Sequence, residues 1–467
     1  MNSRLFVALL ACMPAVISAA DSVTLTLPEA VRLALAQNRA LKIARLKIQE
    51  KEQKQAGARA DYFPRLRNES TFLHTTSVEN IEIPRGAFGT VPNAGLVPVQ
   101  DILINQGNQT FETIGTGLTQ PLTPLIRIRQ ENRIAASEVA VSRDDVKKAE
   151  NQIALKVHEV YYGILIGGLQ KHAAQQDNVF ARTRLRESQE GVRDGNALNV
   201  DVLDSQAGLL QTEQSLLTID FRLSDLNMEL DDLLGIPLGT QLVLSPVEVT
   251  NPADLSREET LRIAFATNPE IASAMQTVEQ AKAALTVAKS AYIPDVSVFA
   301  RQSYQNGVPF LVHNFGTFGV AMNYDVFDFG KRRAAIRERE AQLAQAQQNV
   351  ERLKEAIGVE IEQSANKVER TKRMLQVAAE VVRLRTESER VADNQLKQGV
   401  VLVSARRQAS AASSKAQADL LQAQLAYMLA QAELQQTMGA PQVNELSYEI
   451  SPASPRFYLL VSGSRSC

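Results

Sequence analysis

The sequence predicts a mainly α-helical fold with four β-strands, in which one pattern of elements occurs twice. Three observations support this: long stretches rich in Ala, Gln, Leu and Glu, a self-match through most of the chain, and leucines repeated every seven residues. Ala, Leu, Gln and Glu are strong helix formers, and a seven-residue apolar repeat is typical of packed helices. With 467 residues, the chain is long enough to bury a large core.

The self-match begins with the start of a helix. Thr26–Glu29 aligns with residues 256–259 at an offset of 230, and ALAQN (34–38) aligns with AFATN (264–268) at the same offset. Both segments begin with Thr or Ser followed three residues later by Glu, which is the pattern of a capping box. A short capped helix is therefore expected at the beginning of each copy.

Further along the chain the offset changes to 204, so that Gly195 pairs with Gly399 and Gly235 with Gly439. The change places one insertion of 26 residues between 66 and 111, in the first copy only. Internal repetition of this length indicates duplicated structural units. We expect four segments: a signal peptide (1–20), a first repeat (21–250), a second repeat (251–440) and a C-terminal tail (441–467).

Each copy is expected to have the same order of elements. After the capped helix, a second helix ends near a Tyr-x-Pro segment, since proline cannot continue a helix. Two strands follow, and in the second copy they cover about 295–304 and 314–326. A long helix then begins near residue 127 or 331 and breaks near Gly195 or Gly399. A second helix returns and ends at Gly235 or Gly439. The returning helix of the first copy carries a leucine seam formed by Leu209, Leu216, Leu223 and Leu230.

The N-terminus has the pattern of a secretory signal. Arg4 provides the positive charge, residues 5–17 form a short apolar run, and small residues at 18–20 favour cleavage before Asp21. A lipoprotein signal that ends at Cys12 is the alternative. Cleavage after Ala20 would remove Cys12 and leave Cys467 alone, so that no intramolecular disulfide could form.

Composition argues against several classes of function. The formal net charge is −2, without the basic excess that binds nucleic acid. None of the four histidines has a partner at zinc-ligand spacing, and no phosphate-binding loop or serine nucleophile motif is present. We therefore expect no enzyme activity, no cofactor, no metal site and no nucleic-acid partner.

The strands favour a membrane-facing sheet. In the second copy apolar side chains alternate with small or polar ones, and the first copy has a similar face. Alternating segments of about ten residues are typical of membrane β-barrels. Four strands are too few to close a barrel, so either the sheet is an ordinary small one or three chains share twelve strands. The candidate membrane-face residues are Ile114, Leu118, Phe318, Val320, Met322 and Tyr324.

At this point the sequence resembles the TolC-type outer-membrane efflux proteins over about residues 24–440. The resemblance rests on the duplication, the paired Tyr-x-Pro segments, the stretch VFDFGKRRA (326–334) and the turn GNALNVDVLD (195–204). It implies a homotrimer with a twelve-strand barrel in the outer membrane and a helical tunnel through the periplasm. It also implies a passive duct for small molecules or proteins. The implied partners are outer-membrane lipids, a periplasmic adaptor, and an inner-membrane transporter of a tripartite efflux or type I secretion system.

The resemblance further suggests a gate at the hairpin tips. In the family two aspartates at i and i+3 narrow the tunnel entrance, and Asp201 and Asp204 match this spacing, although on the first hairpin instead of the second. The alternative is that Asp201 caps the returning helix. The tips themselves are candidate adaptor-docking sites, because glycine permits the reversal and apolar side chains follow it. The candidate docking residues are Gly195, Val200, Val202, Leu203, Gly399, Val400, Val401 and Leu402.

Basic residues gather where the long helices begin, at Arg127, Arg129 and Arg133 and again at residues 331–333. Cations at a helix N-terminus oppose the helix dipole, so contact with lipid phosphates is one interpretation and a solvated charge cluster is the other. The insertion, rich in Gly and Pro, is expected to be an irregular extracellular loop. Two rival functions remain: a periplasmic adaptor protein of such a pump, or a structural coiled-coil protein without a pore.

Overall fold

The computed structural model describes residues 23–247, 256–307 and 311–439. The predicted signal peptide, the alternative lipidation site at Cys12 and the predicted C-terminal tail lie outside the described residues. The helices are α1 (Leu27–Gln37), α2 (Arg39–Ala60), α3 (Leu125–Arg193), α4 (Asn199–Leu234), α5 (Arg257–Thr267), α6 (Pro269–Ser290), α7 (Lys331–Lys397) and α8 (Val403–Met438). The prediction of a mainly helical chain with long helical hairpins is confirmed.

The ten strands of the described residues contain far fewer residues than the helices. They are β1 (Val23–Leu25), β2 (Arg65–His74), β3 (Ile81–Ile83), β4 (Thr90–Val91), β5 (Gly95–Leu96), β6 (Ile102–Ile104), β7 (Thr110–Pro121), β8 (Leu242–Leu244), β9 (Asp295–Asn306) and β10 (Asn314–Asn323). The order α1, α2, β2, β7, α3, α4 recurs as α5, α6, β9, β10, α7, α8.

None of the described helices combines the length and the apolar character needed to cross a membrane.

The short first helix of each half begins as the sequence predicts. Glu29 accepts hydrogen bonds from the backbone N–H of Thr26 at 3.0 Å and from its hydroxyl at 2.7 Å. In the second half the Ser256 hydroxyl accepts from the N–H of Glu259 at 3.3 Å. Such contacts satisfy N–H groups that have no partner within the helix. Asn38 then ends α1 and caps α2, because its Oδ1 accepts from the N–H of Ala40 at 3.0 Å.

The described chain divides into two compact units. The first takes the described parts of Met1–Lys42, Lys148–Asn268 and Ile357–Cys467. Its core includes Tyr161, which is fully buried, and its hydroxyl lies 2.9 Å from the carbonyl oxygen of Leu25 and 2.7 Å from that of Ser245. Burial raises the pKa of Tyr161 to about 12. The hydroxyl thus fixes β1 and β8, which pair in parallel, against α3.

Each returning helix ends in a close contact with the turn after the short helix. Gly235 and Gly439 have φ of 70° and 74°, the left-handed backbone conformation that glycine adopts without strain. Nδ2 of Asn38 donates to the carbonyl of Leu233 at 3.2 Å, and Nδ2 of Asn268 donates to that of Thr437 at 2.9 Å. Asn38 with Gly235, and Asn268 with Gly439, therefore form two equivalent contacts between a returning helix and a short helix. We call each of these contacts a clasp.

The second unit, Ile43–Lys147 with Pro269–Ala356, contains a four-stranded sheet in the order β10-β9-β7-β2. All three pairings are antiparallel, so β2 and β10 are the two edges. Beside the sheet, α2 and α3 are joined by ion pairs, with Lys54 Nζ 2.7 Å from Glu138 and Arg143 2.7 Å from Glu52. Each half of the chain contributes two strands to this sheet: β2 and β7 come from the first half, and β9 and β10 from the second.

The insertion lies between β2 and β7 and is more ordered than the sequence suggested. Ile81–Ile83 pairs with Ile102–Ile104, and within that ladder Thr90–Val91 pairs with Gly95–Leu96. The expectation of irregular structure was therefore wrong for these residues, which pair as short strands. Glycine and proline are so frequent in this segment that its sequence pattern does not reveal strands of only two or three residues.

We predict that Gly439→Ala destabilises the fold by roughly 2–5 kcal/mol. Left-handed backbone costs an L-residue roughly 1–2 kcal/mol, and crowding a packed site adds typically 1–3 kcal/mol. A Cβ at Gly439 would lie 2.6 Å from Cα of Asn268 and 2.8 Å from the carbonyl oxygen of Thr267. The measurement is the midpoint of thermal denaturation of the detergent-solubilised protein, followed by far-ultraviolet circular dichroism.

Gly195→Ala is the matched control. Gly195 has φ of 75°, and a Cβ there would meet nothing within 4 Å in the described structure. It should therefore suffer only the backbone cost. Equal shifts for the two variants would show that the clasp at Gly439 contributes no steric constraint.

Candidate functional site

The four-stranded sheet has one apolar face. The strand register aligns Leu118, Ala300 and Phe318 in one row across three strands, and Val298 lies beside Val320 in the next. Phe318 is 88% exposed in the single chain, and Met322 is 67% exposed. Five candidate membrane-face residues share this face by register: Ile114, Leu118, Phe318, Val320 and Met322.

Tyr324 differs from the other candidates because it follows β10 instead of lying in it. The guanidinium of Arg332 stacks on the ring of Tyr324 with 5.0 Å to the ring centroid, and on Tyr292 at 5.2 Å. Nε of Arg332 also donates to Asp328 at 2.7 Å. This cluster turns the chain from β10 into α7, so Tyr324 is a residue of the strand–helix junction.

The opposite face of the sheet is mostly polar or small, and its large apolar residues by register are Leu73, Phe111, Phe299 and Phe315. It carries Arg67, Glu69 and Arg301 together with small residues such as Gly115 and Ser303. Glu69 lies 3.3 Å from Nε of Arg67 and 3.6 Å from Nη1 of Arg301. No local sequence pattern indicated this cluster, because its members lie on different strands.

The basic residues at the start of α3 and α7 are partly neutralised. Arg127 lies 3.6 Å from Asp295 and 3.7 Å from Glu131, and Arg133 lies 3.8 Å from Glu279. Arg332 is paired with Asp328, as described above. These ion pairs explain how cations are tolerated near the starts of the long helices, and they weaken the lipid-phosphate interpretation for the paired residues.

The two hairpin tips are exposed and apolar. Gly195 and Gly399 have φ of 75° and 73°, and each reverses the chain. Around them Leu203 is 65% exposed and Val400 and Leu402 are each 68% exposed. Of the remaining candidate docking residues, Val200 is exposed and Val202 half-buried in the first turn of α4, and Val401 is half-buried between α7 and α8.

The candidate gate residues occupy the first turns of α4. Asp201 accepts a hydrogen bond from the backbone N–H of Leu198 at 2.9 Å, so it does cap the helix. Asp204 lies one turn further along the same helix face, and both carboxylates are exposed. The cap and a gate are compatible roles, because Asp201 can hold the turn with one oxygen and present the other to solvent. The gate itself stays a prediction.

A contact between the two hairpins was missed by sequence reasoning. The carboxylate of Glu187, near the end of α3, accepts a hydrogen bond at 2.9 Å from the backbone N–H of Ser404, in the first turn of α8. The acceptor and donor are 217 residues apart. Nothing distinguishes Glu187 from the other charges on α3, so only the fold could reveal the contact.

Comparison with known proteins gives a family assignment. The family model described as outer membrane efflux protein matches residues 30–235 and 260–440, which is most of the chain. No curated protein matches the sequence significantly.

Several solved structures share the fold. The CmeC outer membrane channel of Campylobacter jejuni has a TM-score of 0.70 at 14% identity, covering 88% of this chain and 85% of that one. The outer membrane protein VceC of Vibrio cholerae has a TM-score of 0.69 at 15% identity, with 89% and 96% covered. The open-state MtrE outer membrane channel of Neisseria gonorrhoeae has a TM-score of 0.67 at 16% identity, with 89% of each chain covered.

Sequence pattern, duplicated hairpins, an apolar strand face and the family match therefore agree: the chain belongs to the outer membrane efflux protein family, and it is an outer-membrane efflux channel.

Proposed function

We propose that three copies of the chain form a passive export duct, in which the strands close a barrel in the outer membrane and the helices continue it into the periplasm. The observation that carries the proposal is the open four-stranded sheet with one exposed apolar face. The insertion would then face the cell exterior. Transport would draw its energy from an inner-membrane partner, and the duct itself would catalyse nothing.

The open edges of the sheet support closure by other copies. Backbone N–H and C=O groups have no water to bind in the hydrocarbon core, so an open sheet edge is not tolerated there. Since the strand directions alternate, β2 and β10 run in opposite directions. The β10 edge of one copy can therefore pair in antiparallel fashion with the β2 edge of the next. Three copies supply twelve strands, within the range of known membrane barrels.

The proposal predicts that the purified mature protein is a trimer that conducts ions across a planar bilayer. Val320→Arg should reduce barrel formation, because Arg on the lipid face at mid-membrane costs about 2–4 kcal/mol. Ala321→Arg is the matched control, since residue 321 lies on the opposite face of the same strand. The measurements are mass by light scattering, heat-modifiable migration and single-channel current. A parent protein that is monomeric and conducts nothing would contradict the proposal.

The exposed apolar tips are proposed as the docking surface for a periplasmic adaptor. Leu402 is suited to a test because it is the N-cap residue of α8, with φ −73° and ψ 157°. Ser is a preferred N-cap residue, worth about 1 kcal/mol over an apolar one, so Leu402→Ser removes an apolar contact without weakening the helix.

We predict that Leu402→Ser combined with Val400→Ser lowers export in cells, while trimer formation and bilayer conductance are unchanged. Val381→Ser and Leu384→Ser provide a control pair, because these exposed apolar residues lie within α7, away from the tips. Normal export by the tip variant would rule out docking through these side chains.

The proposed gate consists of Asp201 and Asp204 from each copy, arranged as two rings near the tunnel axis. Side chains at i and i+3 share one helix face, and crowded carboxylates would attract polyvalent cations. Because Asp201 also caps α4, alanine would disturb both roles. Asn keeps an oxygen that can accept from the N–H of Leu198, and it removes only the charge.

We therefore predict that Asp201→Asn with Asp204→Asn reduces cation selectivity in planar bilayers and abolishes block by polyvalent cations. Asp194→Asn is the control, since it changes an exposed charge in the same turn outside α4. If the double variant selects and blocks like the parent, the two aspartates serve only as a cap and a surface charge.

A further inference from the structure

The polar face of the sheet carries an ion-pair cluster that the export function does not explain. Arg301 on β9 reaches Glu69 on β2 at 3.6 Å, although β7 lies between these strands. Arg67, two residues before Glu69, binds the same carboxylate at 3.3 Å. Two guanidinium groups therefore share one carboxylate.

Glycine on the intervening strand makes this contact possible. Gly115 lies directly between Glu69 and Ser303 in the register, and Gly117 lies between Arg67 and Arg301. A Cβ at Gly115 would be 2.6 Å from Nε of Arg301. Because glycine has no side chain, the guanidinium of Arg301 can lie close to the backbone of β7 at Gly115.

The cluster has an unbalanced charge. By the strand register, this face carries five charged side chains: Arg65, Arg67, Glu69, Asp295 and Arg301. Arg65 is paired with Asp61 at 2.5 Å, and Asp295 with Arg127 at 3.6 Å. The shared carboxylate of Glu69 offsets only one of the remaining two arginines. Each copy therefore contributes one net positive charge to the middle of this face.

We propose that Arg67, Glu69 and Arg301 form a positively charged ring inside the barrel that binds and favours anions and anionic cargo. The proposal rests on the three-copy barrel proposed above, in which the apolar face meets lipid and this face lines the lumen. Eight-stranded barrels are filled by side chains, whereas barrels of 16 or more strands hold an aqueous channel. Twelve strands leave a narrow aqueous lumen, in which three net positive charges act within about one Debye length of a passing ion at 0.1 M salt.

The experiment compares the permeabilities of chloride and potassium by reversal potentials in planar bilayers under a KCl gradient. All variants carry Asp201→Asn and Asp204→Asn, so that the tip carboxylates do not set the selectivity. Arg301→Gln should lower the chloride-to-potassium permeability ratio roughly twofold or more near 0.1 M salt, and Glu69→Gln should raise it by a similar factor. Both shifts should shrink near 1 M salt, where the Debye length is about 3 Å.

Arg301→Lys is the charge-preserving control and should keep the ratio of its parent. Arg67→Gln gives an independent second variant, since its side chain is the more exposed of the two arginines and does not cross β7. Open channels with the same ratio in Arg301→Gln, Arg67→Gln and Glu69→Gln would overturn the ring and leave the export duct intact. A parent protein without channels would instead refute the duct on which the ring depends.

Discussion

The hydrogen-bonding needs of the sheet edges are the constraint on which the rest of the assembly depends. A chain with four strands in the order β10-β9-β7-β2 cannot satisfy its outer backbone groups by itself. In water this would be a minor cost, but in a bilayer each unsatisfied group costs several kcal/mol. In the proposed barrel this requirement is met when β10 of one copy pairs with β2 of the next, which the opposite directions of the two edge strands allow.

Duplication gives the two halves the same helices and strands, but the two halves differ in some of their core residues. Both halves use an asparagine and a left-handed glycine to close the hairpin against the short helix. Only the first half has Tyr161, whose hydroxyl fixes the β1–β8 pair; residue 365, its counterpart at the repeat offset of 204, is alanine. The repeat thus gives both halves the same contact between the returning helix and the short helix, while the surrounding core residues differ.

The elements that the sequence predicted well are those with local signals. Helix starts at Thr26 and Ser256, helix ends at Gly235 and Gly439, and the face shared by Phe318, Val320 and Met322 follow from neighbouring residues. The division into two repeats, the docking tips and the gate rest on the same kind of pattern and stay predictions.

The contacts that the sequence did not reveal join residues far apart in the chain. The β1–β8 pair, the bond from Ser404 to Glu187 and the cluster at Arg301 depend on the fold, because the side chains involved look like ordinary surface or core residues. The apolar alternation continues to Tyr324, but β10 ends at Asn323 and the Tyr324 ring packs against Arg332. Periodicity identifies a face but does not mark where a strand stops.

The ladders within the insertion have a practical consequence. Ile81–Ile83 with Ile102–Ile104, and Thr90–Val91 with Gly95–Leu96, pair only with one another, so the ladders do not set the register of the four-stranded sheet. Residues 92–94 form the innermost turn and are exposed. Loop tips of this kind tolerate inserted sequence. The turn is therefore a suitable site for inserting a foreign peptide, because an insertion there leaves the pairing of the four-stranded sheet unchanged.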